Sequence, residues 1–219
     1  FVLTDEQIDG CQEQRDFVAI ALSTPDFAIL EGPPGSGKTT TIIELIIQLV
    51  RSGKRVMVVA STHVAVDNIL ERLSEERPEG TLLDRFGIIP LRIGKESVVS
   101  ERISKYCLDN VVQTQRVKMR DRLEVLGLRT PAQQKWYDAL CQEGNRSELL
   151  SSMCMDMANL VCGTTIGILH APSITGAADG SPPFDYLILD EASKTTFQEF
   201  LVPALHARRW VLSGDKKQL

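Results

Sequence analysis

Eight consecutive residues, Gly32 to Thr39, combine the residue types that bind a phosphate chain. Their sequence, Gly-Pro-Pro-Gly-Ser-Gly-Lys-Thr, fits the pattern G-x-x-x-x-G-K-[ST] without a mismatch. Glycines let successive backbone N–H groups point at one phosphate without a clash from a Cβ atom. Lys38 can reach the outer phosphates of a nucleoside triphosphate, and the Thr39 hydroxyl can bind Mg²⁺. The segment therefore predicts a loop that binds ATP and Mg²⁺. The expected nucleotide contacts are Gly32, Pro33, Pro34, Gly35, Ser36, Gly37, Lys38, Thr39 and Thr40.

The segments on either side of this loop support the same interpretation. The apolar run from Phe27 to Leu30 directly precedes it, and an amphipathic helical pattern from Thr40 to Val50 directly follows it. A strand, a glycine-rich turn and a helix suit a phosphate, because the helix dipole places partial positive charge at the helix N-terminus. The alternative is a glycine-rich turn without a ligand, but such a turn does not require Lys-Thr at this offset.

Two neighbouring carboxylates, Asp190 and Glu191, follow another apolar run, Tyr186 to Leu189. Ligands of parallel α/β sheets bind at the carboxyl ends of strands. There, Asp190 can bind Mg²⁺ opposite Thr39, and Glu191 can orient and deprotonate an attacking water. A strand that simply ends in solvated acids is the alternative, and the complete phosphate loop earlier in the chain favours catalysis. Lys38 and Glu191 are therefore candidate catalytic residues, and Thr39 and Asp190 are candidate metal ligands.

Strands and helices alternate along most of the chain. Apolar runs that are too short for helices and mostly non-alternating are typical of parallel strands buried on both faces. Apolar residues at helical spacing lie between them, as at Ile42, Leu45, Ile46 and Leu49. This alternation predicts an α/β fold with a mostly parallel sheet flanked by helices. The predicted strands are Phe27 to Leu30, Val56 to Ala60, Leu160 to Cys162, Tyr186 to Leu189 and Trp210 to Leu212.

One long segment, from about Glu96 to Asn159, contains no good strand and predicts an α-helical insertion. Ile103, Cys107 and Val111 have helical spacing, and a second apolar stripe includes Leu150, Met153, Cys154 and Met157. The predicted organisation is 1–94 for the first part of an ATPase domain, 95–159 for the insertion and 160–219 for the second part. Residues 171–183 are rich in Gly, Pro, Ser and Ala, which predicts a loop.

Composition restricts where the protein functions and what it binds. In 219 residues, no apolar run approaches the roughly 20 residues of a membrane span, so no membrane partner is expected. The first residues lack a basic region and an initiator Met, and the last ones end inside a motif, so we expect part of a longer protein. Five cysteines without a C-x-x-C pair indicate reduced thiols in an intracellular, cytoplasmic protein. The net charge of −5 argues against tight nucleic-acid binding by this chain alone.

Five further segments resemble motifs of one family, in the same order along the chain. They are Ser61 to Asn68, Leu91 to Gly94, Cys162 to Thr165, Asp190 to Ser193 and Gly214 to Leu219. Together with the phosphate loop, they resemble the first RecA-like P-loop NTPase domain of superfamily 1 helicases. The likeness is strongest to subgroup 1B, the nonsense-mediated-decay and immunoglobulin-switch-region helicases. In that comparison, the predicted insertion resembles subdomain 1C.

The resemblance implies an ATP-driven helicase or translocase on single-stranded DNA or RNA, without distinguishing between the two. It implies that Gln218 senses the γ-phosphate from a strand between the phosphate-loop strand and the strand that ends in Asp190. It also implies that Ser61, Thr62 and His63 contact the nucleic-acid backbone, although Thr62 can serve as a helix cap instead. A second RecA-like domain of the same full-length protein, with arginine fingers, is the implied partner.

Other residues of the resemblance leave alternatives open. Gln14 precedes the phosphate loop at the spacing of the family's adenine-reading glutamine, whereas Gln7 has the better local motif but lies further away. We favour Gln14. Asp67 and Asn68 are expected to be structural. Lys194 departs from the family, which usually has Gln or His there to couple the nucleotide site to the strand.

Two other functional classes retain the same phosphate loop. A P-loop ATPase switch or remodelling factor keeps these motifs without turnover that depends on a nucleic-acid strand. A degenerate domain that only holds nucleotide as a scaffold is a further alternative. The intact set Lys38, Thr39, Asp190 and Glu191 argues against the scaffold, because an inactive site need not keep all four.

Overall fold

The computed structural model describes residues 1–3, 10–127, 129–141, 148–170, 174 and 180–218, without the side chains of His170 and Gln218. The strands are β1 (Phe27–Glu31), β2 (Val56–Ala60), β3 (Pro90–Ile93), β4 (Leu160–Thr164), β5 (Phe184–Asp190) and β6 (Ala207–Gly214). The helices are α1 (Cys11–Ser23), α2 (Lys38–Arg51), α3 (His63–Ser74), α4 (Leu82–Phe86), α5 (Leu108–Val125), α6 (Pro131–Cys141), α7 (Glu148–Met157) and α8 (Phe197–Ala204). Short 3₁₀ turns include Ala192–Lys194 and Lys216–Gln218.

The six described strands form one parallel sheet in the order β1-β6-β5-β2-β4-β3. The predicted α/β class and parallel sheet are confirmed. Strand β6 lies between β1 and β5, as the family resemblance implied. Because all the strands run in one direction, the phosphate loop after β1, the acids after β5 and the polar segment after β2 meet at the same edge of the sheet.

Helices cover both faces of the sheet. Alternate residues of β2 show this division, since Val56, Val58 and Ala60 belong to one apolar cluster and Met57 and Val59 to the other. The first cluster includes side chains of α1 to α4. The second includes side chains from the end of α7 and from α8. The β2 residues are fully buried, as expected for a central parallel strand.

Strand β1 differs from the prediction that the strands are buried on both faces. Phe27 and Ile29 are 54% and 61% exposed, whereas Ala28 between them is buried. Within the described part of the chain, β1 pairs with β6 and forms an edge of the sheet. One face of β1 therefore packs on α1 and α2 while the other is open, which a short apolar run does not reveal.

The segment between β3 and β4 contains helices α5, α6 and α7, as the predicted insertion requires. The helical assignment of its first two apolar residues was wrong. Ile103 and Cys107 are buried at helical spacing, but they precede α5, which begins at Leu108. They lie beside a 3₁₀ turn instead, and Cys107 forms a bridge with Arg92 of β3. Ile103 and Cys107 are apolar at this spacing because both are buried, and not because they lie on one face of a helix.

In the described ranges, we find no helix long and apolar enough to span a bilayer. The predicted loop at 171–183 lies mostly outside the described residues.

Candidate nucleotide site and nucleic-acid edge

A cavity of about 600 Å³ opens at the carboxyl edge of the sheet, between the phosphate loop, the end of β5 and the side of α3. The predicted site residues that line it are Pro34, Gly35, Gly37, Lys38, Thr39, Thr40, Thr62, Asp190 and Glu191. Its other lining residues are Val64, Ala65, Asn68, Arg72, Ser193, Gly214 and Asp215. A cavity of this volume accommodates a nucleotide-sized ligand.

Two glycines of the phosphate loop lie where a side chain would meet close neighbours. Gly37 is the N-cap of α2 with φ of 83°, a left-handed conformation that favours glycine. A Cβ at this position would lie 2.3 Å from Nε2 of Gln14, and one at Gly32 would lie 2.5 Å from Oγ of Ser36. The first residues of α2, Lys38, Thr39 and Thr40, line the cavity, and the first N–H groups of a helix have no partner within the helix, which suits an anion.

Lys38, the first residue of α2, extends back over the loop. Its Nζ donates to the carbonyl oxygens of Gly32 and Pro33, the latter at 2.9 Å. These are interactions that phosphate oxygens can replace, because a charged oxygen is a stronger acceptor for an ammonium group than a carbonyl is. The position suits a cation for the outer phosphates.

Gln14 of α1 lies against the phosphate loop, and its Nε2 is 3.4 Å from the carbonyl oxygen of Ser36. Its role in reading adenine stays a prediction. The alternative, Gln7, lies outside the described residues.

Asp190, the last residue of β5, accepts from the backbone N–H of Glu191 at 3.0 Å. Burial raises the pKa of the Asp190 carboxyl, and the Glu191 N–H partly offsets this effect. A carboxylate that is costly to ionise at the floor of a polar cavity suits a divalent cation, whose charge favours the ionised form. Thr39 lines the same cavity. One hydroxyl, one carboxylate and the substrate phosphates are a typical ligand set for Mg²⁺.

Glu191 is the one non-glycine residue with positive φ among the described residues, at φ 55° and ψ 38°. Its Oε1 accepts from Nζ of Lys194 at 2.8 Å. Its Oε2 lies 3.4 Å from Oγ of Ser61 and 3.5 Å from Oγ1 of Thr62, longer than a strong O–H···O bond. The candidate general base is thus in contact with two of the residues expected to bind nucleic acid. Left-handed backbone at a non-glycine residue is typical of functional sites.

The polar segment after β2 is held in place by α3. Thr62 is the N-cap of α3, and its Oγ1 accepts from the backbone N–H of Ala65 at 3.3 Å. In the next residue, His63, the Nδ1 atom is 3.0 Å from Nη2 of Arg92. Because a guanidinium only donates, Nδ1 must accept and the imidazole proton resides on Nε2. Burial, and then Arg92, lower the pKa of the His63 imidazole, so the neutral form is favoured.

Arg92 of β3 is fully buried and organises this corner. Its Nε donates to Oδ1 of Asp67 at 2.7 Å, and Nη1 donates to the Ile93 carbonyl at 2.6 Å. Oδ2 of Asp67 accepts from the backbone N–H of Ser100 at 2.9 Å. Asp67 is therefore structural, as expected. The role of Arg92 was missed, since a lone arginine in a short apolar run gives no sign of burial.

Three further residues of the family motifs are Asn68, Asp215 and Gln218. Asn68 is exposed and lines the cavity, although it was expected to be structural, because it points about 100° around α3 from the buried Asp67. Asp215 also lines the cavity and is buried, and the motif that contains it could have identified it. Gln218 belongs to the 3₁₀ turn after β6, but its side chain is not described.

A parallel sheet with a glycine-lysine-threonine loop after one strand and paired acids two strands away defines the chain as a P-loop NTPase domain of the RecA-like class. The chain belongs to the AAA domain family of superfamily 1 helicases, and that family's sequence model matches residues 11–135 and 128–219.

Individual relatives agree with this assignment. The chain is similar to the DNA-binding protein SMUBP-2 of Mus musculus, with 32% identity over 224 residues that include 94% of this chain and 21% of that protein. It is 31% identical over 206 residues to the DNA replication ATP-dependent helicase/nuclease DNA2 of Bos taurus, covering 94% of this chain and 15% of the relative. It is also 27% identical over 220 residues to the DNA polymerase alpha-associated DNA helicase A of Schizosaccharomyces pombe, covering 94% and 31%. The chain thus spans less than a third of the length of each of these relatives.

Proposed function

We propose that this chain is the ATP-hydrolysing core of a helicase or translocase that acts on single-stranded nucleic acid. The observation that carries the proposal is the double contact of Glu191. It lines the nucleotide-sized cavity with Lys38 and Thr39, and it also touches Ser61 and Thr62 of the predicted nucleic-acid edge. A contact between the candidate general base and the predicted nucleic-acid edge favours hydrolysis that is coupled to a strand. The names of the relatives favour DNA as the strand.

The chemistry is in-line attack of water on the γ-phosphate of ATP. The water oxygen bonds to the γ-phosphorus while the bond to the β–γ bridging oxygen breaks, and the water's proton passes to Glu191, which gives ADP and inorganic phosphate. Lys38 and the N–H groups of the loop stabilise the negative charge. Gln218 would sense the γ-phosphate, and Gln14 would read the adenine. When bound by Thr39 and Asp190, Mg²⁺ supplies additional charge neutralisation at the β- and γ-phosphates.

We propose that the complete site includes an arginine from another part of the full-length protein. Arg208 and Arg209 lie at the start of β6, five to six residues from Gly214 at the cavity, a distance of about 17 Å or more along a strand. Arg209 also donates to the Tyr186 hydroxyl at 3.0 Å. Neither arginine therefore suits the role of an arginine finger in this chain. We propose that a second RecA-like domain supplies it, and that residues 1–94 and 160–219 form one ATPase domain with 95–159 as its insertion.

An intracellular location fits the cysteines, since Cys11, Cys107, Cys141, Cys154 and Cys162 are all free thiols. The cytoplasmic compartment stays a prediction.

The test is ATP hydrolysis by the full-length protein with and without single-stranded DNA or RNA. We expect stimulation by the strand. Glu191→Gln should keep ATP and Mg²⁺ bound but abolish turnover, because an amide cannot accept the proton of water. Asp190→Asn should instead weaken the Mg²⁺ dependence of nucleotide binding. ATP hydrolysis that is not stimulated by the strand would support the ATPase switch. Loss of nucleotide binding in both variants would contradict the roles of Glu191 as general base and Asp190 as metal ligand.

A further inference from the structure

Lys194 joins the candidate catalytic carboxylate to the predicted strand edge. Its Nζ donates to Oε1 of Glu191 at 2.8 Å, while the hydroxyls of Ser61 and Thr62 lie near Oε2. Both oxygens of Glu191 therefore face donors located at the carboxyl ends of β2 and β5. An ammonium group and two hydroxyls are also the groups that bind a phosphate of a nucleic-acid backbone. Glu191 and a phosphate of the strand can therefore compete for the same donors, which are the Lys194 ammonium and the Ser61 and Thr62 hydroxyls.

The backbone at this point favours the contact. Glu191 adopts a left-handed conformation, and the N–H of Lys194 donates to the Glu191 carbonyl at 2.9 Å. The resulting turn folds Lys194 back over the carboxylate three residues earlier. General base catalysis requires the carboxylate to accept from the attacking water instead. A rotamer directed at Lys194 competes with one directed at that water.

We propose that Lys194 is a positioning residue that restrains Glu191. The restraint ends when a phosphate of single-stranded nucleic acid replaces the Glu191 carboxylate as the partner of Lys194. The proposal rests on the function proposed above, in which Glu191 receives the proton of water. When the phosphate binds Lys194 together with Ser61 and Thr62, all the donors leave the carboxylate at once. Strand binding then releases the base, which couples the strand to hydrolysis.

The ion pair between Lys194 and Glu191 is weak enough to break and form again. The side chains of Lys194 and Glu191 are 45% and 28% exposed, so solvent screens their attraction and a phosphate can displace the carboxylate. Lys carries a compact charge on a flexible stem, and either anion is a suitable partner. The Gln or His that the family resemblance led us to expect here lacks this permanent charge. The restraint is therefore a feature of this chain's own residue.

The first test compares ATP turnover in the full-length wild type, Lys194→Ala, Lys194→Arg and Lys54→Ala. Lys54 is a matched control, because it pairs with Asp185 at 3.8 Å, is 42% exposed and lies at the opposite end of the strands. Without a strand, Lys194→Ala should raise kcat about two- to fivefold, the range that a partly exposed ion pair provides. At a saturating 20-nucleotide dT or U oligomer its kcat should equal that of the wild type, with the KM for ATP unchanged. Lys194→Arg should restore low basal turnover, and Lys54→Ala should behave as wild type.

The second test does not depend on turnover. Fluorescence anisotropy with the same labelled oligomers gives Kd between 50 and 200 mM salt. Loss of one phosphate contact should reduce the slope of log Kd against log salt by about 0.7 in Lys194→Ala. The slope for Lys54→Ala should not change.

The outcomes separate this proposal from the one on which it rests. If the strand stimulates the wild type and Glu191→Gln is inactive, the proposed function holds. Lys194→Ala with wild-type basal kcat, or with basal and stimulated kcat lowered by the same factor, would then overturn the restraint alone. If the slope of log Kd against log salt did not change in Lys194→Ala, the proposed contact between Lys194 and a phosphate of the strand would be refuted. If the strand did not stimulate ATP hydrolysis by the wild type, the proposed function itself would be refuted.

Discussion

Replacing Asp67 with Ala should strongly destabilise the domain, because it leaves the Arg92 guanidinium buried without a counter-charge. The Arg92 side chain is 0% exposed and that of Asp67 is 7% exposed, with 2.7 Å between Nε and Oδ1. The other Arg92 donors are directed at the Ile93 carbonyl and at Nδ1 of His63, neither of which carries a negative charge. The substitution also leaves the N–H of Ser100 without its carboxylate acceptor.

The magnitude follows from burial. Removing one partner of a buried ion pair costs about 3–5 kcal/mol, a large part of the roughly 5–15 kcal/mol that stabilises a typical domain. In a chain of this length, each kcal/mol lowers the Tm by about 2–4 °C, so we expect a decrease of about 6–20 °C. Water that enters to solvate the guanidinium would place the result at the lower end of this range.

Urea denaturation of the 219-residue chain, followed by circular dichroism, measures this free energy of unfolding. Glu79→Ala is the matched control, because Glu79 pairs with Arg85 at 2.7 Å but is 70% exposed, and it should cost less than about 1 kcal/mol. The double variant Asp67→Ala/Arg92→Met should recover part of the loss, since no buried charge remains. If Asp67→Ala matched the control, the idea that the pair compensates a buried charge would be refuted.

Three further predictions concern the site. Lys38→Ala should weaken ATP and ADP binding by about ten- to a hundredfold, the range for a charged hydrogen bond, and calorimetry with Mg²⁺ will measure it; equal affinity would contradict the phosphate-loop assignment. His63 should titrate below its ordinary value of 6.5 in NMR, with the proton of the neutral ring on Nε2. Since the unfolded chain binds this proton more readily, the stability linked to His63 should be complete above pH 6.5 and decrease as the pH falls below it; a midpoint above 6.5 would argue against the Arg92 contact. The 219-residue chain alone should hydrolyse ATP slowly, because arginine fingers contribute about 10³ to 10⁵ in rate in related enzymes, and it should bind single strands weakly; rapid strand-stimulated turnover by the chain alone would contradict the two-domain site.

Local patterns identified the chemistry of this chain. The phosphate loop was recognisable because its left-handed turn at residue 37 favours glycine and because Lys38 and Thr39 follow at a fixed offset. The central strand β2 was placed from Val56 to Ala60 as observed, because an apolar run of five residues is too short for a helix and is typical of a buried parallel strand. These features depend on residues that are close in sequence.

The contacts that join the sites depend on the tertiary structure. Ser61 and Glu191 are 130 positions apart and meet because β2 and β5 are neighbouring parallel strands, a pairing that no local pattern encodes. The open face of β1 follows from its place at the edge of the sheet, and the same apolar run would be buried in the centre. Arg92 resembles an ordinary surface arginine in the sequence. Only packing against α3 places it at zero exposure beside Asp67, because burial of a charge is decided by which distant group can neutralise it.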